Sequence, residues 1–256
     1  MKIDINSDVG ESFGNFKVGH DAEIMPYLSS ANVACGFHAG DPVIMERTLK
    51  LAKRHKVKVG AHPGLPDLVG FGRRSMSLSR EEVQNLVIYQ VGALLAFAKA
   101  VGIDVQHVKP HGALYNAGAH DEAYAKPIVE AVHAVNPDLV LFTLAGSKMA
   151  EIAAKAGLRV AHEVFADRAY NPDGSLVSRN RAGAIVEDAA AVSRRAIKMV
   201  KERMVNTVDS QALVKFDKLH TICVHGDTVN AVELVKALRK AFAAANVEVS
   251  PVSTFV

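Results

Sequence analysis

The amino-acid sequence predicts a parallel α/β fold and, within that class, a closed (β/α) barrel. Short apolar runs alternate about seven times with longer segments of helical periodicity, which favours parallel strands joined by helical crossovers. The chain of 256 residues is 49% hydrophobic but only 6% aromatic and has no Trp, so its core must consist mainly of Ala, Val, Leu and Ile. Polar clusters follow six of the apolar runs. We expect one barrel domain covering residues 1–256.

The predicted strands and helices alternate along the chain. The strands are runs rich in apolar and β-branched residues, namely Lys2–Asn6, Ser29–Cys35, Val57–Ala61, Val105–Lys109, Leu139–Thr143, Leu158–Val164, Leu219–Val224 and Val247–Val252. Asp41 and Pro42 are the N-cap and first-turn proline of one helix, and Ser79 with Glu82 forms a capping box that opens another, which ends at Gly102. The remaining predicted helices are Asp121–Asn136, Gly146–Ala156, Glu187–Val205 and Thr228–Ala245.

The placement of the polar clusters decides between a closed barrel and an open sheet. An open parallel sheet concentrates its site at one switch point, whereas a barrel collects side chains from the carboxyl ends of many strands. Here the clusters follow strands spread over the whole chain. They are Asn6–Glu11, Gly36–Asp41, His62–Gly64, Lys109–Gly112, Glu163 with Asp167 and Arg168, and His225–Asp227.

Charge, cysteine content and missing motifs exclude several classes of protein. The net charge is only +3 and no run of Lys and Arg marks a nucleic-acid face. Cys35 and Cys223 lie in apolar runs without a C-x-x-C pair, as is typical of buried residues in a reducing cytosol. The N-terminus has no apolar signal region, and no apolar run approaches the roughly 18 residues that span a bilayer, so we expect a cytoplasmic protein without a membrane partner. A P-loop, a G-x-S-x-G elbow and a strand followed by G-x-G-x-x-G are all absent from the sequence.

Histidine and carboxylate residues recur at the predicted strand ends. The histidines there are His38, His62, His111 and His225, and the acidic residues are Asp8, Glu11, Asp41, Glu163, Asp167 and Asp227. Any one of them alone has an ordinary structural explanation; Asp41 and Asp227, for example, precede helices that they could cap. Repetition at one topological position favours a functional site. We interpret His107, His162 and His220 as core residues, and His20, His55, His120 and His133 as surface residues.

Two kinds of chemistry fit this set of side chains. Histidine with carboxylate suits a divalent metal such as Mg, Mn or Zn, or general acid–base catalysis without a metal. The sequence has no H-x-x-x-H or H-E-x-x-H pair, so metal ligands would have to come from separate loops. The loop that follows Asp167 adds Arg168, Tyr170, Arg179 and Arg181, which suit carboxylate or phosphate binding, although a solvated loop explains them equally well.

Six motifs in order resemble the LamB/YcsF family. They are DINSDVGESFG, NVACGFHAGDP, GAHPGLPD, VKPHGALY, EVFADRAY followed by R-x-R, and CVHGD, and together they span essentially the whole chain. Members of the family act as the A subunit of the prokaryotic ATP-dependent 5-oxoprolinase. The resemblance therefore implies a seven-stranded, irregular barrel of the carbohydrate deacetylase type, opening of the lactam of 5-oxo-L-proline to L-glutamate with ATP hydrolysis, and partner subunits B and C. Whether the chain also forms a homo-oligomer is left open.

The resemblance also suggests roles for the clustered residues. We expect catalytic residues at Asp8, Glu11, His38, Asp41, His62, His111 and Glu163, with Asp8 or Glu11 positioning water and the histidines binding a metal or stabilising charge on the carbonyl oxygen. We expect substrate- or anion-binding residues at Asn6, Lys109, Asp167, Arg168, Tyr170, Arg179, His225 and Asp227. Because no nucleotide motif is visible, ATP would bind at a partner, at an interface, or in the barrel by another mode.

Two alternatives remain on the sequence alone. Deacetylases of similar fold carry an Asp-Asp pair and an H-x-x-x-H pair, whereas this chain has Asn6-Ser7-Asp8 and the single His38. A self-sufficient metal-dependent amidase or deacetylase is nevertheless one alternative, and a non-catalytic small-molecule-binding subunit is the other. The density of titratable groups argues against the second.

Overall fold

The computed structural model describes residues 1–209, 211–226 and 230–256, and its strands form a closed parallel barrel. In chain order the strands are β1 Lys2–Val9, β2 Ser30–Ala34, β3 Lys58–His62, β4 Val105–Val108, β5 Val140–Leu144, β6 Val160–Phe165, β7 Met204–Asn206, β8 Leu213–Lys215, β9 Thr221–Cys223 and β10 Glu248–Val249. Strands β1 to β6 pair in sequence order, β9 follows β6, and β9 pairs with β1 to close a barrel of seven strands. The predicted irregular seven-stranded barrel is confirmed.

Helices surround the barrel and follow most of its strands. They are α1 Asp21–Ile24, α2 Pro42–His55, α3 Arg80–Val101, α4 Gly112–His120, α5 Glu122–Val135, α6 Lys148–Lys155, α7 Ala189–Glu202 and α8 Ala231–Ala244. The predicted caps are confirmed: the Asp41 side chain accepts hydrogen bonds from the backbone of Val43 and Ile44, and Ser79 with Glu82 forms the capping box of α3. Gly102 ends α3 with a φ of 72°, a left-handed conformation that glycine adopts without strain.

Several sequence predictions about these elements were wrong. Strand β1 continues to Val9, beyond its predicted end at Asn6. The polar residues there suggested a loop, but polar side chains occupy the inner face of this strand. The helix predicted to reach Val205 ends at Glu202; Arg203 turns the chain at a φ of 53° into an antiparallel β7–β8 pair. Helix α4 was not predicted. The last predicted strand shrinks to two residues that pair with the start of β1.

Helix α3 is long and apolar enough, by length and composition alone, to cross a membrane. This finding differs from the sequence expectation that no run approached that length. The apolar stripe of the helix has a packing explanation, however, because Val83, Val87, Val91 and Leu94 are fully buried in the core. The same stripe is what a core helix of a layered α/β protein requires.

The barrel interior is polar, while the apolar core lies between the strands and the surrounding helices. Side chains alternate along β1, so Asp4, Asn6 and Asp8 share one face and are all buried, while Ile3 and Ile5 belong to the apolar core cluster. At the amino-terminal end, the Asp4 carboxylate accepts hydrogen bonds from Ser29 and Ser30 at 2.7 and 2.6 Å, and a further one from Thr221. The inner face of β1 thus carries a column of polar residues toward the carboxyl end.

The other histidines lie close to where the sequence placed them. His107 is fully buried in β4 and stacks on Phe142, as predicted for a core residue. His20, His55, His120 and His133 are exposed, as predicted. His162 and His220 are only partly buried and pack against each other, so their prediction as core residues was wrong.

Candidate functional site

Asn6 holds the centre of the polar interior. Its amide nitrogen donates hydrogen bonds to Glu163 at 2.9 Å and to Thr221 at 2.7 Å, and its amide oxygen accepts one from Asn32 at 2.7 Å. Asn32 also donates to Asp8 at 2.8 Å. Because these residues come from β1, β2, β6 and β9, one amide ties four strands together. Asn6 therefore positions charged groups rather than presenting its own side chain to solvent.

Lys109 follows β4 and points its ammonium into the same network. The Nζ atom lies 3.0 Å from Asp8 Oδ1, 3.0 Å from Glu163 Oε1, 3.1 Å from Asn6 Oδ1 and 3.1 Å from Cys223 Sγ. Burial opposes the charge on Lys109, but Asp8, Cys223 and Glu163 outweigh it and hold the pKa of Lys109 well above its usual range. An ammonium has three hydrogens to donate, so protein acceptors already use all of them.

Asp8 lies between this ammonium and a group of histidines. Its Oδ1 atom is 3.4 Å from His62 Nε2 as well as 3.0 Å from Lys109 Nζ. Burial favours the neutral acid, but the neighbouring His62 and the Lys109 ammonium outweigh it and hold the pKa of Asp8 well below its usual range. Asp8 is therefore a carboxylate at neutral pH, at the floor of the site.

Four buried side chains, Glu11, His38, His62 and His111, form a second cluster, which we call the His–Glu cluster. His62 Nε2 lies 2.9 Å from His111 Nδ1, and His38 stacks on His111 with ring centroids 3.8 Å apart. Glu11 Oε1 lies 3.4 Å from His38 Nε2 and 3.7 Å from His111 Nδ1. Burial, reinforced by the neighbouring His rings, holds the pKa values of His38 and His111 well below the usual range of histidine.

Glycine allows the backbone to close over this cluster. A Cβ atom at Gly64 would lie 2.4 Å from His38 Nδ1, and one at Gly72 would lie 2.6 Å from the Cβ of His38. Gly72 also has a φ of 63°, which disfavours any side chain there. The two glycines therefore confine the His38 ring from two directions.

His225 and Asp167 form a hydrogen-bonded pair at the opposite side of the site. His225 Nδ1 lies 2.8 Å from Asp167 Oδ2, which also accepts from the His225 backbone at 3.2 Å. Burial would raise the pKa of Asp167, but His225 outweighs it and lowers the pKa. A carboxylate on Nδ1 fixes the orientation of the imidazole and leaves Nε2 for other partners, which suits His225 to proton transfer.

A cavity of about 600 Å³ opens onto these groups. Its buried lining includes Asp8, His62, His111 and His225, and its mouth carries the more exposed guanidinium groups of Arg73, Arg179 and Arg181. Arg168 also lines the cavity but is buried, and its guanidinium donates to the backbone carbonyls of Val177 and Ala184. Burial, followed by the charge of Arg179, lowers the pKa of Arg168 to about 10. Guanidinium groups that repel one another at a cavity mouth are typical of an anion-binding site.

The predicted site residues fall into distinct places. The cavity lining includes Asp8, His62, Lys109, His111, Arg168, Arg179 and His225, while Asn6, Glu11, His38, Glu163 and Asp167 are buried directly behind it. Asp41 caps α2, and its carboxylate also accepts from Gly14, so the structure does not bring it to the lining. The ring of Tyr170 is fully buried and its hydroxyl accepts from the backbone N–H of Phe165, which makes it a core residue here. Asp227 lies outside the described residues.

Sequence reasoning missed several members of the site. Tyr115 lines the cavity and donates to Glu163 Oε2 at 2.7 Å. It lies four residues after His111, a spacing that places both on one side of α4 once that helix is recognised. Cys223 was interpreted only as a small core residue, although it accepts from Lys109. Arg73 lay in a stretch that carried no recognisable pattern.

Among the residues that the structure describes, two groups have the ligand atoms of a metal site. In the His–Glu cluster, one ligand atom from each residue lies within 4.8 Å of every other. Asp8, Cys223 and His225 meet the same criterion, but the Lys109 ammonium already lies 3.0 Å from Asp8 and 3.1 Å from Cys223. The Lys109 ammonium is thus already the cation of the group formed by Asp8, Cys223 and His225. The His–Glu cluster is therefore the group that could hold a metal.

The fold and site define a parallel α/β-barrel protein with a buried histidine–carboxylate centre at the carboxyl ends of its strands. The LamB/YcsF family profile matches residues 3–256, and the chain belongs to that family. It is 53% identical over 256 residues to the A subunit of 5-oxoprolinase from Pyrococcus horikoshii, covering 100% of both chains. It is 50% identical to the lactam utilization protein of Thermus thermophilus, with a TM-score of 0.91 over 98% of this chain and 99% of that one.

A peptidoglycan N-acetylglucosamine deacetylase catalytic domain from Eubacterium rectale shares the fold alone. The TM-score is 0.50 and the identity 11%, over 98% of this chain and 87% of that domain. The expected deacetylase-type architecture is thus present.

Proposed function

We propose that the chain is the A subunit of an ATP-dependent 5-oxoprolinase, which opens the lactam of 5-oxo-L-proline to L-glutamate while ATP is hydrolysed to ADP and phosphate. The names of the relatives, which refer to 5-oxoprolinase and to lactam utilization, support this assignment. The observation that carries the proposal is the lining of the cavity, which has proton-transfer groups at its floor and guanidinium groups at its mouth. A small cyclic amide with one carboxylate needs proton-transfer groups for cleavage of its C–N bond and a cationic group that binds its carboxylate.

The geometry supports a division of labour within the cavity. Arg179, with Arg168 behind it, would bind the substrate carboxylate at the mouth, which places the lactam ring toward the floor. Asp8, held as a carboxylate, would orient the attacking water. His225, oriented by Asp167, would deliver a proton to the ring nitrogen as the C–N bond breaks. The oxygen of water becomes part of the new carboxylate, and the ring nitrogen becomes the amine of glutamate.

Lys109 has a positioning role in this proposal. Its ammonium is engaged by Asp8, Glu163, Asn6 and Cys223, so it holds both carboxylates in place and keeps Asp8 ionised instead of binding substrate. This differs from the sequence hypothesis that Lys109 or Arg168 binds the substrate carboxylate or a phosphate. Tyr115 completes the same network through Glu163.

ATP, partner subunits and a divalent metal belong to the same proposal. A five-membered amide is unreactive toward water, and phosphorylation of the amide oxygen by ATP, which releases ADP, would activate the ring carbon. Attack by one water with departure of the ring nitrogen would then leave the phosphate on the new carboxyl group as an acyl phosphate, and a second water would release phosphate and glutamate. The relatives are named as one lettered subunit of an enzyme, which supports the presence of partners, here proposed to be subunits B and C. The His–Glu cluster would hold the divalent metal, and of the Mg, Mn and Zn named from the sequence, its nitrogen-rich ligands favour Zn over Mg.

The test is an assay of glutamate and ADP formed from 5-oxoproline and ATP. It compares this chain alone, subunits B and C alone, and the complete mixture. We expect both products only in the complete mixture, in a one-to-one ratio. Equal glutamate formation without this chain would contradict the proposal.

A stand-alone metal-dependent amidase is the second candidate, and the His–Glu cluster is the observation that favours it. In the same assay it predicts glutamate formation by this chain alone, without ATP and in proportion to bound metal. The two functions are therefore separated by the dependence on ATP and partners.

A further inference from the structure

Backbone carbonyls determine which ring nitrogens carry hydrogen in two members of the His–Glu cluster. His62 Nδ1 lies 2.6 Å from the carbonyl oxygen of Lys109, and His111 Nε2 lies 2.8 Å from that of Phe71. A carbonyl oxygen only accepts hydrogen bonds, so both of these nitrogens must donate. In a neutral imidazole, the second nitrogen then has a lone pair and no hydrogen.

The two nitrogens left as acceptors face each other. His62 Nε2 and His111 Nδ1 are 2.9 Å apart, a hydrogen-bonding distance with no hydrogen to occupy it. Glu11 Oε1 lies 3.7 Å from the same His111 nitrogen and adds negative charge. Two nitrogen lone pairs therefore face each other in a buried space, which is unfavourable unless a proton or a metal ion lies between them.

His38 adds a third imidazole whose polar atoms are unsatisfied. Within the described part of the chain, neither its Nδ1 nor its Nε2 makes a hydrogen bond, although both are buried. Its Nε2 atom lies 3.4 Å from Glu11 Oε1. A proton shared between His62 and His111 would satisfy that pair and leave His38 without a partner. A metal ion bound by one nitrogen of each imidazole and by Glu11 would satisfy the facing pair and would also give His38 a partner.

We infer that Glu11, His38, His62 and His111 bind one divalent transition-metal ion of the Zn, Co, Ni or Fe class. Three imidazoles and one carboxylate form a nitrogen-rich ligand set, whereas Mg prefers oxygen ligands. Carbonyl groups that hold the rings by their far nitrogens are a regular feature of metal-binding histidines. When bound, such a metal supplies Lewis-acid polarisation of an oxygen ligand.

The ligand set has a simple origin in the barrel. Its four residues lie at the carboxyl ends of four consecutive strands: His62 is the last residue of β3, and Glu11, His38 and His111 follow β1, β2 and β4. No pair closer than twenty residues is involved, which is why the sequence contains no H-x-x-x-H pattern. His62 and His111 also line the cavity, so the inferred ion borders the space in which the substrate is proposed to bind.

The test measures metal content, with no turnover involved. The purified chain is equilibrated separately with Zn, Co, Ni, Fe and Mg, passed through a desalting column, and analysed by elemental mass spectrometry. We expect about one transition-metal ion per chain and no retained Mg, with binding of each ion weakened about 10- to 100-fold or more in His38→Ala, His111→Ala and Glu11→Gln. His133→Ala, on the exposed face of α5, is the matched control and should keep the full content.

A second measurement protects the test from variants that fail to fold. The Co-loaded wild-type chain should show the visible absorption bands of a cobalt site with nitrogen ligands, and Zn should displace them. Wild-type chain that retains none of the transition metals, or ligand variants that fold and retain them fully, would overturn the inference. Because no substrate is used, failure here leaves the lactam-opening proposal standing, and failure of the lactam assay leaves metal binding standing.

Discussion

The ammonium of Lys109 lies 3.0 Å from Asp8 Oδ1, and both groups are buried beneath the cavity floor. The pair is one part of a larger network, since Glu163, Asn6 and Cys223 contact the same ammonium. A buried charge of this kind is tolerable only while its partners are present. The stability of the barrel and the geometry of the site therefore depend on the same atoms.

Removing the Lys109 charge should destabilise the protein. Lys109→Met leaves Asp8 and Glu163 as buried carboxylates without their cation, and breaking such a pair costs about 3–5 kcal/mol. Urea unfolding measures the loss. Lys50→Met, which removes an exposed ion pair with Glu46, is the control and should change the stability by less than about 1 kcal/mol. A Lys109→Met variant as stable as the control would show that the network is not coupled to folding.

The Asp167–His225 pair should control turnover. Asp167→Asn removes the carboxylate that orients the His225 ring, so kcat of the complete enzyme should fall about 100-fold or more, while KM changes little. The control is Asp138→Asn, which changes an exposed residue outside the cavity lining and should leave kcat unchanged. Steady-state kinetics and a thermal unfolding curve separate a chemical effect from misfolding. An unchanged kcat in a folded Asp167→Asn variant would remove His225 from the mechanism.

Arg179 should affect substrate binding more than chemistry. Arg179→Gln removes a guanidinium from the cavity mouth, and we expect KM for 5-oxoproline to rise about tenfold with a smaller change in kcat. The comparison variant is Arg194→Gln, on the exposed side of α7. If KM is the same in both variants, the mouth does not bind the substrate carboxylate.

Asp4 should give the protein a pH-dependent stability that is independent of the site. Burial is the main reason why the pKa of Asp4 rises from 3.8 to about 6, since its serine and threonine partners only partly compensate. A raised folded-state pKa stabilises the fold at pH below about 4, and this contribution is lost as the pH rises through 6. The shift corresponds to roughly 3 kcal/mol.

The measurement compares wild type with Asp4→Asn by urea unfolding at pH 4, 5, 6 and 7. The variant cannot ionise at this position, so its stability relative to wild type should improve as the pH rises. A difference that stays constant from pH 4 to pH 7 would mean that Asp4 is not protonated in the folded protein near pH 5.

Local patterns predicted the elements whose causes are local. Asp41, Pro42, Ser79 and Glu82 act through backbone groups within one turn, so the starts of α2 and α3 were visible in the sequence. The same patterns failed at β1, where Asp8 looked like loop because its partners, Lys109 and His62, are about 50 to 100 residues away. Polarity does not exclude these residues from the strand, because partners from other strands satisfy them inside the barrel.

The sequence by itself determined the alternation of strands and helices, the barrel, and the set of histidines and acids at strand ends. These follow from hydrophobic periodicity and from the rule that parallel strands end on one side. The tertiary structure decided which side chains meet: Lys109 with Asp8 and Glu163, His225 with Asp167, and His62 with His111. Strand register and the tight approach of Gly64 and Gly72 to His38 set those distances, and both arise from contacts between segments far apart in the chain.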